Sequence, residues 1–175
     1  NHDYQITKDK LDSVGCGMCL AKWTQTTIHL QMGETHSCHH PGTHKIPLNE
    51  LKRNPSALHN TKFKKQKRKE MLEGKRPSEC DYCWNVEDNS PQFSDRVFKS
   101  NESWSKPYFD EIMKLGWRQD YNPKYVEVGF SNQCNFACSY CGPSFSSKWA
   151  AEATKFGAYP TSQNFNDIKA MKANG

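Results

Sequence analysis

Polar and apolar residues alternate over residues 26–31, where Ile28 and Leu30 stand two apart among threonine, histidine and glutamine, the period of a half-buried antiparallel strand. Gly33 and a second short run to Cys38 follow, predicting a hairpin that turns at Gly33, where a positive φ is easily adopted. A short helix is expected over residues 48–53. A longer one is expected over 55–73, opened by Asn54 and Pro55 and stopped by Gly74. Residues 85–106 are polar and carry no clear period, so they read as a linker with a helical turn near 96–99. Pro107 and Gly116 bracket a helix whose Phe109, Ile112, Met113 and Leu115 share one face. The most convincing strand spans residues 125–130. Beyond it, residues 144–156 place Phe145, Trp149, Ala153 and Phe156 at helical spacing as core residues, with Gly157 as a cap. A last helical pattern covers residues 164–172.

Composition narrows the class. Only 35% of the 175 residues are apolar and the mean hydropathy is −0.94, poor material for a large core, so a fold stapled by metal makes physical sense. No run approaches the roughly 18 apolar residues of a membrane helix, and the opening NHDYQITKDK is too polar for a signal peptide. The expectation is a soluble, cytoplasmic protein without a membrane partner. The chain begins at Asn1 and stops at Gly175 just after a helical pattern, and it reads as a fragment of something longer. Eight cysteines in triplet and Cys-x-x-Cys spacings favour metal ligation over disulfides. Much of the net charge of +5 comes from KFKKQKRK, residues 62–69. Between its helix start and stop signals this run predicts the solvated face of one helix and no specific nucleic-acid site.

The chemistry concentrates in CNFACSYC, where Cys134, Cys138 and Cys141 stand in a Cys-x-x-x-Cys-x-x-Cys array directly after the predicted strand. Thiolates converging from one short loop are the usual ligands of iron–sulfur clusters. The array, with Tyr140 at the aromatic position before Cys141, resembles the radical S-adenosylmethionine (SAM) superfamily. The resemblance implies a 4Fe-4S cluster on these three cysteines, SAM on its fourth iron, Tyr140 and Gly142 beside the cofactor, and cleavage of SAM to a 5'-deoxyadenosyl radical. It also implies an electron donor such as a flavodoxin or ferredoxin and a peptide or small-molecule substrate from which the radical abstracts hydrogen. The fold class expected is α/β. A strand delivering a cofactor loop to a helix would be the first unit of a partial barrel, starting at residue 124, with the later strands beyond Gly175.

A second set precedes it. Cys19, thirteen intervening residues, Gly33, four more and Cys38 are followed by Cys80-Asp81-Tyr82-Cys83. This spacing resembles the twitch domain, the shorter relative of the SPASM module, in which a hairpin and a helical knuckle hold one auxiliary iron–sulfur cluster. CLAKW, MLEGKRPSECDYCW and CGPSFSSKW look like twitch-domain radical SAM proteins. The division expected is a twitch-like domain over residues 1–90, a linker with one helix over 91–123 and the barrel start over 124–175. Cys19, Cys38, Cys80 and Cys83 are the implied auxiliary ligands. Cys16 is a spare thiol, and Cys16-x-x-Cys19 with Cys80-x-x-Cys83 is also what a structural zinc site uses. His36, His39, His40 and His44 stand close by but read as exposed loop histidines. The alternative function is therefore a zinc-stapled basic module associated with nucleic acid, its second zinc held by the cysteine triplet and a histidine.

Overall fold

The computed structural model describes residues 2–143 and 145–157, so the helical pattern over residues 164–172 lies outside the described residues. The fold is mixed α/β. Helix α1 (His2–Asp12) is followed by the short α2 (Ala21–Thr24), strands β1 (Gln25–His29), β2 (Glu34–His36) and β3 (His44–Lys45), and α3 (Leu48–Arg53). Then come α4 (Lys62–Leu72), α5 (Asp81–Asn89), α6 (Asp95–Asn101), α7 (Phe109–Leu115), β4 (Tyr125–Gly129) and α8 (Ser147–Phe156). The strands form one mixed sheet in the order β3-β2-β1-β4, β2 and β3 running antiparallel with Glu34 opposite Lys45. Gly33 takes φ 64° in the hairpin turn.

Two compact units divide the chain, one of residues 1–28 and 33–128, the other of residues 29–32 and those from 129 onward. The first unit's apolar core joins Leu11, Met18, Trp23, Met71, Trp84 and Ile112. The stretch expected to be a linker belongs to that core. Val97 on α6 and Ile112 on α7 are both fully buried, and α6 packs on α1. What hid α6 is its inward face, which carries Arg96 and Ser100 beside Val97.

The lysine run differs from its expectation too. The helix is there, but Lys64 and Arg68, one turn apart on α4, are 1% and 0% exposed. Lys64 Nζ donates to the hydroxyls of Thr26 and Thr35, both at 3.0 Å, and reaches His59 Nδ1 at 3.3 Å. Arg68 Nη1 donates to Asn60 Oδ1 at 2.7 Å and its Nε to the Lys22 carbonyl at 3.1 Å. Burial pulls Arg68 down to about 9, still charged at neutral pH, and lowers Lys64 well below the usual lysine value. The long helix expected over residues 55–73 breaks at residues 59–61, because His59, Asn60 and Thr61 turn inward as buried partners. Thr61 accepts from Lys64 N as the N-cap of α4.

His59 and His44 make stability depend on pH. His59 Nε2 lies 2.7 Å from the Trp23 carbonyl and 3.0 Å from Arg68 Nη2, and its Nδ1 faces Lys64 Nζ at 3.3 Å. Burial first and then Lys64 push both imidazoles down, His44 to about 4 and His59 well below 6.5. Both remain neutral in the fold where the unfolded chain takes up protons, so stability is lost as pH falls below about 6.5, the His44 part of the loss levelling off near 4. With the His44 contribution halved for its partial exposure, melting should drop by on the order of 10 °C between pH 7.5 and pH 5. Thermal unfolding across that range checks this, and a flat melting temperature would contradict it.

Candidate metal centres

Cys19, Cys38, Cys80 and Cys83 line a single cavity in the first unit. Three pieces of local structure bring them together. The GCGMC turn packs so tightly that a Cβ on Gly17 would lie 1.9 Å from the Lys75 carbonyl oxygen, a position only glycine fills, and this sets Cys19 just before α2. The hairpin carries Cys38 past β2. A single turn over Ser78–Cys80 leads into α5, presenting Cys80 and Cys83 together, and Trp84 anchors that knuckle by donating to the Pro77 carbonyl at 2.8 Å. Cys16 is exposed and lies outside the cavity, its sulfur directed at the Gly74 carbonyl. All eight cysteines are free thiols.

Burial pushes Cys38 up to about 11 and Cys80 and Cys83 each up to about 12, with the neighbouring sulfurs adding to the rise. Binding a cation here would therefore release protons. The neighbouring backbone of His40 and of Arg96 works in the opposite direction to burial, lowering Cys38 and Cys83 respectively, and does not offset it. Lys22, 3% exposed, also lines the cavity. Burial opposes its charge, but Cys80, its ion pair with Glu79 and Cys38 outweigh that and raise it above the usual lysine value. Ser37 lines the same cavity, and its buried hydroxyl has no hydrogen-bond partner.

The spacing of the sulfurs tests which metal fits. Among the described residues, the one group of three or more His, Cys, Asp or Glu ligand atoms all within 4.8 Å of one another is His39, His40 and Asp95. No three of the four thiols close to that spacing, whereas a tetrahedral zinc with Zn–S near 2.3 Å holds its sulfurs about 3.8 Å apart. A cubane cluster spreads four cysteine sulfurs to about 6 Å. The donor set, four thiols beside one lysine and one orphaned hydroxyl with no three sulfurs at zinc spacing, is compatible with the larger group.

The second unit holds the triplet. Cys134, Cys138 and Cys141 are each half-buried on the loop between β4 and α8, and α8 pins that loop by its first turn. Ser147 Oγ donates to the Cys134 carbonyl at 3.0 Å and accepts from Cys134 N at 3.1 Å. Trp149 Nε1 donates to the Cys138 carbonyl at 2.9 Å, and Ser146 Oγ to the Phe136 carbonyl at 2.7 Å. Tyr140 is 91% exposed, and its hydrogen bond to Cys138 raises its phenol above the usual value. Gly142 is buried at the end of the loop. An open groove beside Cys134 is lined by Gln133, Asn135, Ser147 and Lys148. Phe145 and Phe156, expected in a core, are 61% and 74% exposed, and Ala153 is the buried member of that face. Among the described residues no helix is long and apolar enough to cross a membrane.

The chain matches no protein-family model, no curated protein and no solved structure. Sequence reasoning missed Lys22, Ser37, Asp95 and Arg96, all on the wall of the first cavity. Only Lys22 had a signal, its place in CLAKW three residues after Cys19.

Proposed function

We propose that this chain binds two iron–sulfur clusters and belongs with the radical SAM enzymes. In this reading the twitch-like first unit holds an auxiliary cluster, and β4, the cysteine loop and α8 are the opening unit of a partial barrel. The observation that carries it is the Cys134, Cys138, Cys141 loop itself, three thiols and no fourth cysteine on one strand-to-helix turn, whose shape is held by Ser146, Ser147 and Trp149 through backbone groups while the Cys134 and Cys141 sulfurs make only long contacts with the Phe136 and Gly142 carbonyls. A 4Fe-4S cluster bound there with SAM would supply one-electron cleavage of the sulfonium to methionine and a 5'-deoxyadenosyl radical.

The chain's own residues have definable parts in this. Ser146, Ser147 and Trp149 hold the ligand loop in one shape. Gln133, Asn135, Ser147 and Lys148 give the adjoining groove polar groups able to hold the charged end of a small ligand. In the first unit Lys22 places a positive charge, and Ser37 a hydroxyl donor, against four thiolates, and both favour the more negative, reduced state of a bound cluster. A peptide or small metabolite is the proposed substrate class, and a flavodoxin or ferredoxin the proposed donor. The nucleic-acid alternative loses support from α4, because Lys64 and Arg68 cannot reach a phosphate from the interior.

The test is made on the full-length gene product purified without oxygen. Two clusters predict a brown protein with about eight iron and eight sulfide per chain. A colourless protein that takes up zinc to stoichiometry and no iron would overturn the reading.

A further inference from the structure

His39 and His40 follow Cys38 on the loop after β2, and Asp95 opens α6, fifty-five positions beyond His40. The fold brings the three to one point. His40 Nε2 lies 2.6 Å and His39 Nε2 3.7 Å from the same oxygen, Asp95 Oδ2, and all three ligand atoms fall within 4.8 Å of one another. The arrangement is fixed at its inner end. The His40 ring stacks on Tyr82 at 3.7 Å between ring centroids with planes 10° apart. His39 is more than half exposed and meets His40 edge-on at 5.4 Å between ring centroids. Of the three, His39 alone has room to adjust.

We propose that His39, His40 and Asp95 form a mononuclear binding site for a divalent first-row transition ion. Two imidazole nitrogens and one carboxylate oxygen are a borderline donor set, which selects zinc, iron(II) or cobalt(II) over magnesium or calcium. Ligand bonds of about 2.0–2.2 Å place tetrahedral donors about 3.4 Å apart. The two measured separations, 2.6 and 3.7 Å, bracket that value, so a small turn of the His39 ring closes the site. Three protein ligands leave coordination positions for water or a small anionic or carbonyl ligand, the pattern of reactive rather than structural sites. In the metal-free protein the Asp95–His40 hydrogen bond occupies the place of the ion and holds His40 Nε2 toward it. The site uses none of the eight cysteines and does not depend on the cluster reading, although His40 and Asp95 also line the thiol cavity.

Cobalt(II) is the probe, because its spectrum reports the donor type. Thiolate ligation gives an intense near-ultraviolet charge-transfer band, whereas nitrogen and oxygen ligation gives only weak visible bands. The full-length protein is titrated beside His39→Gln and Asp95→Asn. The expected result is one cobalt ion in the wild type that contributes visible bands without charge transfer, is displaced by zinc, and is weakened at least about a hundredfold in either variant, since loss even of an outer-shell partner costs 10- to 100-fold. His39 is exposed, with Asp95 as its one polar contact among the described residues, so His39→Gln should fold and melt as the wild type does, which keeps the test independent of stability. Equal cobalt stoichiometry and affinity in the wild type and His39→Gln would overturn the site. So would a lost ion that carries thiolate charge transfer, which would place the histidines in the cysteine centre instead. Iron and sulfide contents are read separately, so failure here leaves the cluster proposal standing, and failure of the clusters leaves this one.

Discussion

Cys138→Ala in the reduced, anaerobic, full-length protein should lower 5'-deoxyadenosine release from SAM to the level seen without reductant, and Cys134→Ala and Cys141→Ala should do the same. The reason is ligand arithmetic: the loop supplies three thiolates, and two are too few to hold a cubane cluster. Each variant should lose about four iron per chain and keep the four of the auxiliary set. The loop's shape should survive, because its anchors are backbone groups. Trp149 binds the Cys138 carbonyl and Ser147 the Cys134 backbone, and alanine retains both. The first unit's melting should not change, since its core residues all lie outside this loop. A Cys138→Ala protein that still cleaves SAM at the wild-type rate would remove these cysteines from the mechanism. Inactivity of a fully iron-loaded wild type would leave the loop as a structural centre.

The cysteine positions were legible because ligand spacing is a local property. One loop, one hairpin and one knuckle each carry their thiols at short, recognisable intervals. So was the hairpin, present as β1 and β2, although β1 is buried at four successive positions rather than alternately and Leu30 lies exposed beyond it, and so was the helix over Leu48–Arg53. What resisted reading is the polar interior. Lys64, Arg68 and Met71 form a buried stripe at i, i+4 and i+7 on α4, the geometry of an amphipathic core face. Two of its three members are cations, so any hydropathy argument assigns it to solvent. Its partners Thr26, Thr35, His59 and Asn60 lie on other elements, and nothing within the run announces them. The same holds for α6, where Arg96 is 1% exposed while its guanidinium binds Glu87 through two contacts at 2.7 and 2.8 Å and Asp12 at 3.0 Å. A chain with little apolar material filled its core with satisfied polar groups, and satisfaction is a tertiary property.

Iron loading should raise the melting temperature of the first unit, and Cys80→Ala should abolish the rise while Cys16→Ala leaves it intact. Cys80 is 8% exposed within the apolar core and lines the cavity with Cys19, Cys38 and Cys83, while Cys16 lies at the surface outside it. A group that binds only the folded state stabilises by mass action, about 2.7 kcal/mol when free ligand is a hundredfold above Kd. In a unit of this size that corresponds to about 10 °C. In the metal-free protein the Cys80→Ala change should cost only about 1 kcal/mol, the loss of one buried sulfur. The comparison of loaded and metal-free forms therefore separates ligation from packing. Cys83→Ala should behave as Cys80→Ala does, because both sulfurs leave the same knuckle toward the same cavity. A loading shift that survives Cys80→Ala but vanishes in Cys16→Ala would mean that Cys16 and Cys19 bind as a pair, and that the wall formed by Lys22 and Ser37 faces something other than the metal.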